Sequence, residues 1–332
     1  MATAWHVGIV GAGAWGTALA CAARRAGSDV TIWAHETDTV SAINDTHRNP
    51  VFLPAVTLDA GIGATGDMAE FSGCDPVLLA APSAHLRTVS GALAPHVAPG
   101  AAVCVCTKGI ELGSGMLMTD VAAEALSRDH VAGLSGPSFA AEVALGLPTA
   151  VTVAGPEADI DTMAAALGGP MFRVYRSTDV VGIEVGGAVK NVIAIACGIA
   201  DGRGMGHNAR AAVISRGLSE IARLGAALGA ERETLMGLAG LGDLVLTCTG
   251  TLSRNQTFGR GLGEGRTVAE LMEGRNSVVE GAATAPAVVA LAARLGVDMP
   301  ICAAVDDILA ERCDVAAAIE RLLARPSDTE FT

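Results

Sequence analysis

Short and continuously apolar runs, separated by stretches with a helical pattern, dominate the first half of the chain. Continuous hydrophobicity, without alternation, is typical of strands buried on both faces in a parallel α/β sheet. Helices are expected in the gaps, for example over 17–26, 115–128 and 157–167. The pattern predicts a doubly wound α/β fold. The predicted strands are 5–10, 29–34, 75–82, 101–107, 130–136, 149–155 and 171–176.

The second half has no strand-like runs after about residue 180. Its apolar spacing predicts helices over 180–200, 207–228, 280–295, 300–311 and 314–324, with breaks at 237–243 and 259–266. A chain of 332 residues is long enough for two domains. We therefore expect a nucleotide-binding domain over residues 1–180 and an all-α domain over residues 181–332.

Charge narrows the range of partners. The net charge is −13, from 22 Lys and Arg against 35 Asp and Glu. Such a chain repels nucleic-acid phosphates and anionic membrane surfaces, so neither is an expected partner. A small anionic ligand would need a local group of cations.

The cysteines and the N-terminus indicate the compartment. The eight cysteines form no CxxC pair and lie mostly in apolar runs, so we expect reduced, buried thiols and no metal site. The uncharged residues 1–23 lack a basic segment and contain four glycines, which is unlike a signal peptide. We expect a cytoplasmic protein that does not insert into membranes.

The segment IVGAGAWGTALA (9–20) carries the strongest local motif. Gly11, Gly13 and Gly16 have the GxGxxG spacing directly after a predicted strand and before a predicted helix. The first glycine permits a tight turn, the second permits close approach of a pyrophosphate, and the third permits close packing of helix on strand. The free amides of the helix start favour the phosphates. This context predicts dinucleotide binding.

The end of the second predicted strand bears on the choice between NAD and NADP. The segment DVTIWAHE places Ala34 and His35 where a carboxylate would grip the ribose 2′-hydroxyl of NAD, and Glu36 lies just beyond. Because neither residue is acidic, there is room for the 2′-phosphate of NADP, which His35 could contact. A solvated histidine in a turn fits the pattern equally well. NADPH is favoured without excluding NADH.

Other candidates are weaker when taken singly. Lys108 and Ser138 each follow a predicted strand, at the edge of an α/β sheet where ligands bind, but both could be ordinary surface residues. Lys190 lies inside the apolar, glycine-rich run EVGGAVKNVIAIACGIADG, where a lysine must either reach water or serve a function. Arg254 lies between small polar residues and could clamp an anion or be a solvated loop arginine.

Nine segments together carry a specific resemblance. In chain order they are GAGAWGTALA, NDTHRNPVFLP, TKGIE, SGPSFAAE, EVGGAVKN, GMGHNARAAVISRGLSE, GLAGLGDLVLTC, SRNQTFG and VVEG. Their order and spacing resemble those of bacterial-type NAD(P)-dependent glycerol-3-phosphate dehydrogenase, almost from end to end. That family has a Rossmann-like doubly wound sheet followed by an all-α C-terminal domain. Its enzymes reduce dihydroxyacetone phosphate to sn-glycerol 3-phosphate for glycerophospholipid synthesis, and we expect a homodimer.

The resemblance also implies roles for individual residues. Lys190 corresponds to the catalytic lysine. The positions corresponding to substrate contacts are Lys108, Gly136, Ser138, Lys190, Asp243, Ser253, Arg254 and Asn255. Those corresponding to cofactor contacts, beside the three glycines, are Trp15, His35, Lys108, Ala140, Arg254, Val278 and Glu280. The family often has arginine near the end of the second strand, so His35 is a departure that bears on cofactor preference.

The expected chemistry explains a lysine in an apolar helix. Hydride addition to a ketone builds negative charge on oxygen, which a nearby ammonium stabilises and protonates. Asp243 would orient Lys190, and Arg254 with Asn255 would hold the phosphate.

Two other functional interpretations of the sequence compete with a glycerol-3-phosphate dehydrogenase. A hydroxyacid or ketopantoate type of dehydrogenase also joins a Rossmann domain to a helical one and uses a lysine, but the SRN and SGPSFA segments argue against it. A non-catalytic NAD(P)-binding sensor is disfavoured because Lys190, Asp243 and Arg254 are all present.

Overall fold

Eight of the ten strands form one large sheet in the computed structural model, which describes residues 5–273 and 279–326. The strand order is β10-β9-β8-β7-β6-β1-β2-β5, and β3 pairs with β4 in a separate two-stranded sheet. The strands are β1 His6–Val10, β2 Asp29–Trp33, β3 Arg48–Asn49, β4 Leu53–Thr57, β5 Ile62–Thr65, β6 Val77–Leu79, β7 Val103–Val105, β8 Ala132–Ser135, β9 Thr149–Ala154 and β10 Phe172–Ser177.

All seven predicted strands are present, and the predicted α/β class with a helical second half is confirmed. The parallel arrangement has one exception, because β8 and β9 pair antiparallel. A strand buried on both faces has the same apolar composition whichever way its neighbour runs, so the pattern could not predict this reversal. The edge strand β5, which contains a glycine, was not predicted.

Fifteen α-helices lie in the described residues. Those before residue 180 are α1 Ala14–Arg25, α2 Thr37–Thr46, α3 Leu86–Leu93, α4 Met118–Leu126, α5 Ala140–Ala144 and α6 Glu157–Leu167. Those that follow are α7 Val180–Gly202, α8 Gly206–Leu228, α9 Arg232–Met236, α10 Asp243–Thr249, α11 Arg254–Gly263, α12 Val268–Met272, α13 Glu280–Leu295, α14 Pro300–Leu309 and α15 Val315–Leu323. No strand follows β10 in the described part of the chain.

The chain divides into two compact units. The first unit contains residues 1–108 and 117–183, and the second contains 109–116 and 184–332. The division therefore falls inside α7, and the short segment 109–116 groups with the second unit, which the hydrophobic pattern did not predict.

The position of β1 sets the nucleotide-binding end of the first unit. It lies between β2 and β6, so successive connections leave it in opposite directions along the sheet. This change of direction is the switch point at which doubly wound sheets bind ligands, outside the carboxyl ends of the strands. The GxGxxG turn follows β1 directly and so lies at this point.

Helix α7 belongs to the second unit from Glu184 onward. It spans 23 residues, and the Asp179 carboxylate accepts a 2.7 Å hydrogen bond from the Gly182 amide near its start. Taken alone, it is the one described helix long and apolar enough to cross a membrane, but 78% of its most apolar window is buried inside the protein. A bent pair, formed by 232–249 with 254–263, also passes that test. A helix in the core of a folded domain can be as long and as apolar as a membrane-spanning helix, so it passes the same test.

Glycines let α7 and α11 touch backbone to backbone. A Cβ atom on Gly198 would lie 2.1 Å from the Gln256 carbonyl oxygen, and one on Gly263 would lie 2.4 Å from that of Ile199. The predicted break at 259–266 is therefore wrong in its first five residues, because Gly259–Gly263 continue α11. Glycine lowers helix propensity, but here it permits a contact that no larger residue allows.

This packing predicts opposite effects for two helical glycines. Gly198→Ala should destabilise the protein by about 1–3 kcal/mol or more, because the new methyl group overpacks the contact with α11. Gly91→Ala in α3, where a Cβ meets no atom within 4 Å, should stabilise it by about 0.5–1 kcal/mol. Thermal and urea unfolding of both variants gives the comparison, and a Gly198→Ala variant as stable as Gly91→Ala would contradict the close packing.

Candidate active site

Gly11, Gly13 and Gly16 form a glycine turn after β1, the cradle, which is open beside one of the three glycines. Gly11 has a φ of 118°, and a Cβ atom there would lie 2.9 Å from the Ala80 backbone. A Cβ atom on Gly16 would lie 1.9 Å from the Gly11 carbonyl oxygen, whereas one on Gly13 would meet nothing within 4 Å. Gly13 is also the N-cap of α1, whose first amides have no intrahelical acceptor. Packing therefore requires Gly11 and Gly16, while Gly13 borders open space beside amides suited to an anion.

A buried asparagine fixes this turn. The Asn49 Nδ2 donates to the Ala12 carbonyl oxygen at 2.8 Å and to Thr17 Oγ1 at 2.9 Å. Its Oδ1 accepts from the Phe52 amide at 3.2 Å. The sequence motif NDTHRNPVFLP thus has a physical role that motif spacing alone did not assign.

The end of β2 carries no acidic side chain at the buried position that follows it. Ala34 is 1% exposed, and the two residues after it, His35 and Glu36, are exposed. The rings of Trp33 and His35 lie 6.2 Å apart and tilted by 48°. An imidazole and a carboxylate are therefore both available at this end of the sheet.

Three predicted residues of the first unit meet at one carbonyl group. The Gly136 oxygen accepts from Lys108 Nζ at 3.1 Å and from Ser138 Oγ at 3.0 Å. Gly136 has a φ of 142°, and a Cβ atom there would lie 2.9 Å from the Val151 Cα. These residues thus form a small polar cluster beyond the ends of β7 and β8.

Trp15 links the cradle to the strand that precedes this cluster. Its Nε1 donates to the Cys106 carbonyl oxygen at 3.1 Å, two residues before Lys108. Ala140, another predicted cofactor contact, is the first residue of α5 and packs against the core of the first unit.

Lys190 lies in the second unit and is held by a buried ion pair. Its side chain is 7% exposed, and Nζ donates to Asp243 Oδ1 at 2.6 Å and to Thr247 Oγ1 at 2.7 Å. The Thr247 hydroxyl donates to the Asp243 carbonyl oxygen at 2.7 Å. Because a buried charge without a partner is costly, the lysine and the aspartate depend on each other. An ammonium group is thereby held in one geometry with little water around it.

A π-helical turn delivers Asp243 to this position. The predicted break at 237–243 contains a π-helix over Leu238–Gly242, and α10 begins at Asp243. A Cβ atom on Gly186, one turn before Lys190, would lie 2.6 Å from the Ala239 carbonyl oxygen. The glycine therefore brings the π-turn against α7. Helical segments of this kind are frequent at functional sites.

The start of α11 carries the predicted anion-binding residues. Ser253 is its N-cap and accepts from the Gln256 amide at 3.2 Å. Arg254 is the first helical residue and is exposed, and within residues 5–273 and 279–326 its guanidinium has no hydrogen-bond or ion-pair partner. Asn255 is buried, with Nδ2 bonded to Asn191 Oδ1 at 2.9 Å and Oδ1 accepting from the Gly281 amide at 3.0 Å. The arginine is thus available to a ligand, whereas the asparagine joins three helices.

Two buried thiols lie beside the lysine cluster. Hydrogen bonding to Cys197, together with burial, raises the pKa of the Cys248 thiol well above its usual value. Seven of the eight cysteines are buried and none forms a disulfide. In the described part of the chain, no group of three or more potential ligands could hold a metal ion.

Comparison with known proteins identifies the family. Residues 6–161 match the N-terminal part, and residues 179–320 the C-terminal part, of NAD-dependent glycerol-3-phosphate dehydrogenase. A relative from Caulobacter vibrioides named glycerol-3-phosphate dehydrogenase [NAD(P)+] is 55% identical over 98% of both chains. The chain belongs to the NAD-dependent glycerol-3-phosphate dehydrogenase family.

Solved structures agree with this assignment. The crystal structure of glycerol-3-phosphate dehydrogenase from Coxiella burnetii has a TM-score of 0.93 and 40% identity, covering 97% of this chain and 99% of that one. A ketopantoate reductase from Ralstonia eutropha is 18% identical, with a TM-score of 0.60, and covers 92% of this chain and 97% of its own. The second likeness extends to the fold alone.

The residues that the family resemblance singles out fall into two groups. Those of the cradle and the Gly136 cluster lie in the first unit, and Lys190, Asp243, Ser253, Arg254 and Asn255 lie in the second. Glu280 is the first residue of α13, directly before the glycine that bonds to Asn255. Val278 lies outside the described residues.

Sequence reasoning missed the roles of three polar residues that the structure places against the predicted site residues. Thr247 follows Asp243 by four residues, which places both on one face of a helix, and this spacing could have indicated it. Asn191 adjoins Lys190, and its role depends on a partner 64 residues away. Asn49 contacts backbone far along the chain, for which no local pattern exists.

Proposed function

We propose that this chain interconverts dihydroxyacetone phosphate and sn-glycerol 3-phosphate with NAD(P) as the redox partner. The buried Lys190–Asp243 pair carries the proposal, because a desolvated ammonium fixed by two oxygen ligands is suited to stabilising an oxyanion. The names of the relatives support the same activity.

The first unit has features that fit a dinucleotide. Open space beside Gly13 and the unsatisfied amides at the start of α1 suit a pyrophosphate. Trp15 and Ala140 would border the cofactor, as would His35 at the ribose. When bound, NAD(P)H supplies the hydride that reduces the ketone carbon.

Lys190 would act on the substrate oxygen. Asp243 and Thr247 both accept hydrogen bonds from Nζ and so hold the ammonium group in one orientation. As negative charge develops on the ketone oxygen, Nζ would stabilise it and donate a proton. In the reverse direction the same nitrogen, once neutral, would accept the proton of the hydroxyl group.

Arg254 would bind the phosphate. Its guanidinium is exposed at the first turn of α11, where the helix dipole also favours an anion. Lys108 and Ser138, joined at Gly136, supply a second polar group for substrate and cofactor. Asn255 would act by fixing Arg254 relative to Lys190 through Asn191.

The wider setting rests on the family resemblance and the sequence. We propose a cytoplasmic homodimer that does not insert into membranes and that supplies glycerol phosphate for phospholipid synthesis. An initial-rate assay tests the activity itself, with dihydroxyacetone phosphate and with ketopantoate in parallel. A protein that binds NAD(P)H but oxidises it with neither compound would be a sensor.

Lys190→Met should abolish turnover and leave cofactor binding intact. Losing a positioned acid–base group lowers the rate by about 10²–10⁴-fold, and the dinucleotide cradle lies in the other unit. Rates with dihydroxyacetone phosphate and fluorescence titration with NADPH give the two readouts.

This substitution leaves Asp243 buried without its cation, so stability needs a control. The double variant Lys190→Met with Asp243→Asn removes both charges and should recover most of a loss of about 3–5 kcal/mol. Near-normal turnover in either variant would rule out Lys190 as the proton donor.

Arg254→Ala should raise the KM for dihydroxyacetone phosphate, because charge-assisted hydrogen bonds to phosphate are worth about 1.5–3 kcal/mol. The preference for this substrate over unphosphorylated dihydroxyacetone should shrink, and NADPH affinity should weaken if Arg254 also contacts the cofactor. Arg232→Ala is a matched control, since Arg232 is also an exposed first residue of a helix in the second unit. The measurement is kcat/KM for both substrates in the wild type and in each variant. If the ratio of the two values is unchanged in Arg254→Ala, Arg254 does not bind the phosphate.

The cofactor prediction concerns Ala34. The protein should use NADPH at least as well as NADH, and Ala34→Asp should shift preference toward NADH, since the new charge repels a 2′-phosphate and binds the ribose hydroxyl. Ala34→Asn controls for size at this buried position. The measurement is kcat/KM with each cofactor. A wild-type protein that uses NADH strongly and ignores NADPH would contradict the prediction, as would an equal shift in the Asn variant.

A further inference from the structure

The first turn of α11 is fastened to α7 at a second point, away from Lys190. The Gln256 Nε2 donates to Asp201 Oδ2 at 2.8 Å, and Gln256 is 9% exposed. Asp201 lies near the end of α7, ten residues beyond Asn191, where Asn255 is fastened. Ten helical residues span about 15 Å, so two adjacent residues of α11 reach widely separated points of α7.

Gln256 also closes the cap of its own helix. Its amide donates to Ser253 Oγ while its side chain donates to Asp201, so one residue fixes both the cap and the attachment to α7. Arg254 lies between the bonded residues. Because its side chain has no partner in the described ranges and carries large rotamer entropy, only the backbone of this turn can fix its position before a ligand binds.

The charge of Asp201 is locally compensated. Arg210 of α8 donates to the same Oδ2 at 3.1 Å. The side chain of Asp201 is 18% exposed and that of Arg210 is 23% exposed. A second guanidinium nitrogen of Arg210 lies 2.5 Å from His207 Nδ1. A lone carboxylate would oppose a nearby phosphate, whereas one paired with Arg210 adds little net charge and still strengthens the bond from Gln256.

We propose that Asp201 and Gln256 are positioning residues for phosphate recognition, a role that rests on the proposed function. Their hydrogen bond fixes the first turn of α11, so that the Arg254 guanidinium is preorganised for the substrate phosphate. Neither residue contacts substrate. Arg210 keeps the carboxylate from weakening the site.

Gln256→Met and Asp201→Leu, which keep side-chain size and remove the hydrogen bond, test this role. Each should raise the KM for dihydroxyacetone phosphate about tenfold, since a misplaced binding group loses affinity steeply. Their kcat should stay within about twofold, because Lys190 is untouched, and their KM for NADPH should rise less than their KM for dihydroxyacetone phosphate, because the cradle is untouched. The double variant should be no worse than either single variant, because both remove the same bond. Asp201→Asn keeps an acceptor for Gln256 and should remain close to wild type.

Asp307→Ala is the matched control. Asp307 pairs with Arg312 and Arg321 in the same unit, with similar exposure, but lies in α14. This variant reports the effect of losing an ion pair on stability alone. A thermal shift with sn-glycerol 3-phosphate provides a readout independent of turnover, and the shift should shrink in Gln256→Met but not in Asp307→Ala.

These experiments distinguish failure of the positioning role from failure of the proposed function. If wild type reduces dihydroxyacetone phosphate and the Gln256→Met and Asp201→Leu variants keep its KM, the positioning role is overturned alone. The same holds if they lose kcat equally with dihydroxyacetone phosphate and dihydroxyacetone, as general destabilisation would produce. If wild type does not reduce dihydroxyacetone phosphate, the proposed function is overturned and this inference with it.

Discussion

Close backbone contact around α7 is the constraint on which the second unit depends. Gly186 admits the π-turn that ends at Asp243, and Gly198 admits the first turn of α11. A methyl group at either position would meet a carbonyl oxygen at 2.6 Å or less. Glycine lowers the stability of the helix itself, but at these two positions it allows the neighbouring backbone to approach α7 closely. Through those two contacts the lysine's acid partner and the phosphate-binding turn are brought against one helix.

The same constraint explains why a lysine is tolerated in so apolar a helix. Lys190 cannot reach water freely because its side chain is only 7% exposed, and the approach of the π-turn places a carboxylate and a hydroxyl within 2.7 Å of its nitrogen. Replacing a buried pair with apolar residues is often neutral or stabilising, so stability alone does not account for it. A desolvated cation held in one orientation does have value where charge develops on a substrate oxygen.

Sequence predicted the elements better than their contacts. The seven strands and the long helices α7, α8 and α13 were found because hydrophobic periodicity is a local property. The continuation of α11 through Gly259–Gly263 was missed, because glycine signals a break unless a neighbouring helix is known to lie against it. Lys190 and Arg254 were singled out by chemical type and family resemblance. Asn191 and Asn49 were missed, since their roles exist only through partners distant in the chain.

A chain with a net charge of −13 must arrange its few cations with care to bind a phosphate. Around α7 the carboxylates of Asp243 and Asp201 are each paired with a cation, Lys190 and Arg210. Those pairs contribute almost no net charge, so Arg254, whose guanidinium has no partner within residues 5–273 and 279–326, adds a positive charge to the local field together with the helix dipole of α11. The pairs therefore have two roles, since each fixes a functional turn and removes a negative charge that would repel the ligand. Selectivity for a phosphorylated substrate then depends on neutralising the protein's own acids as much as on placing one arginine.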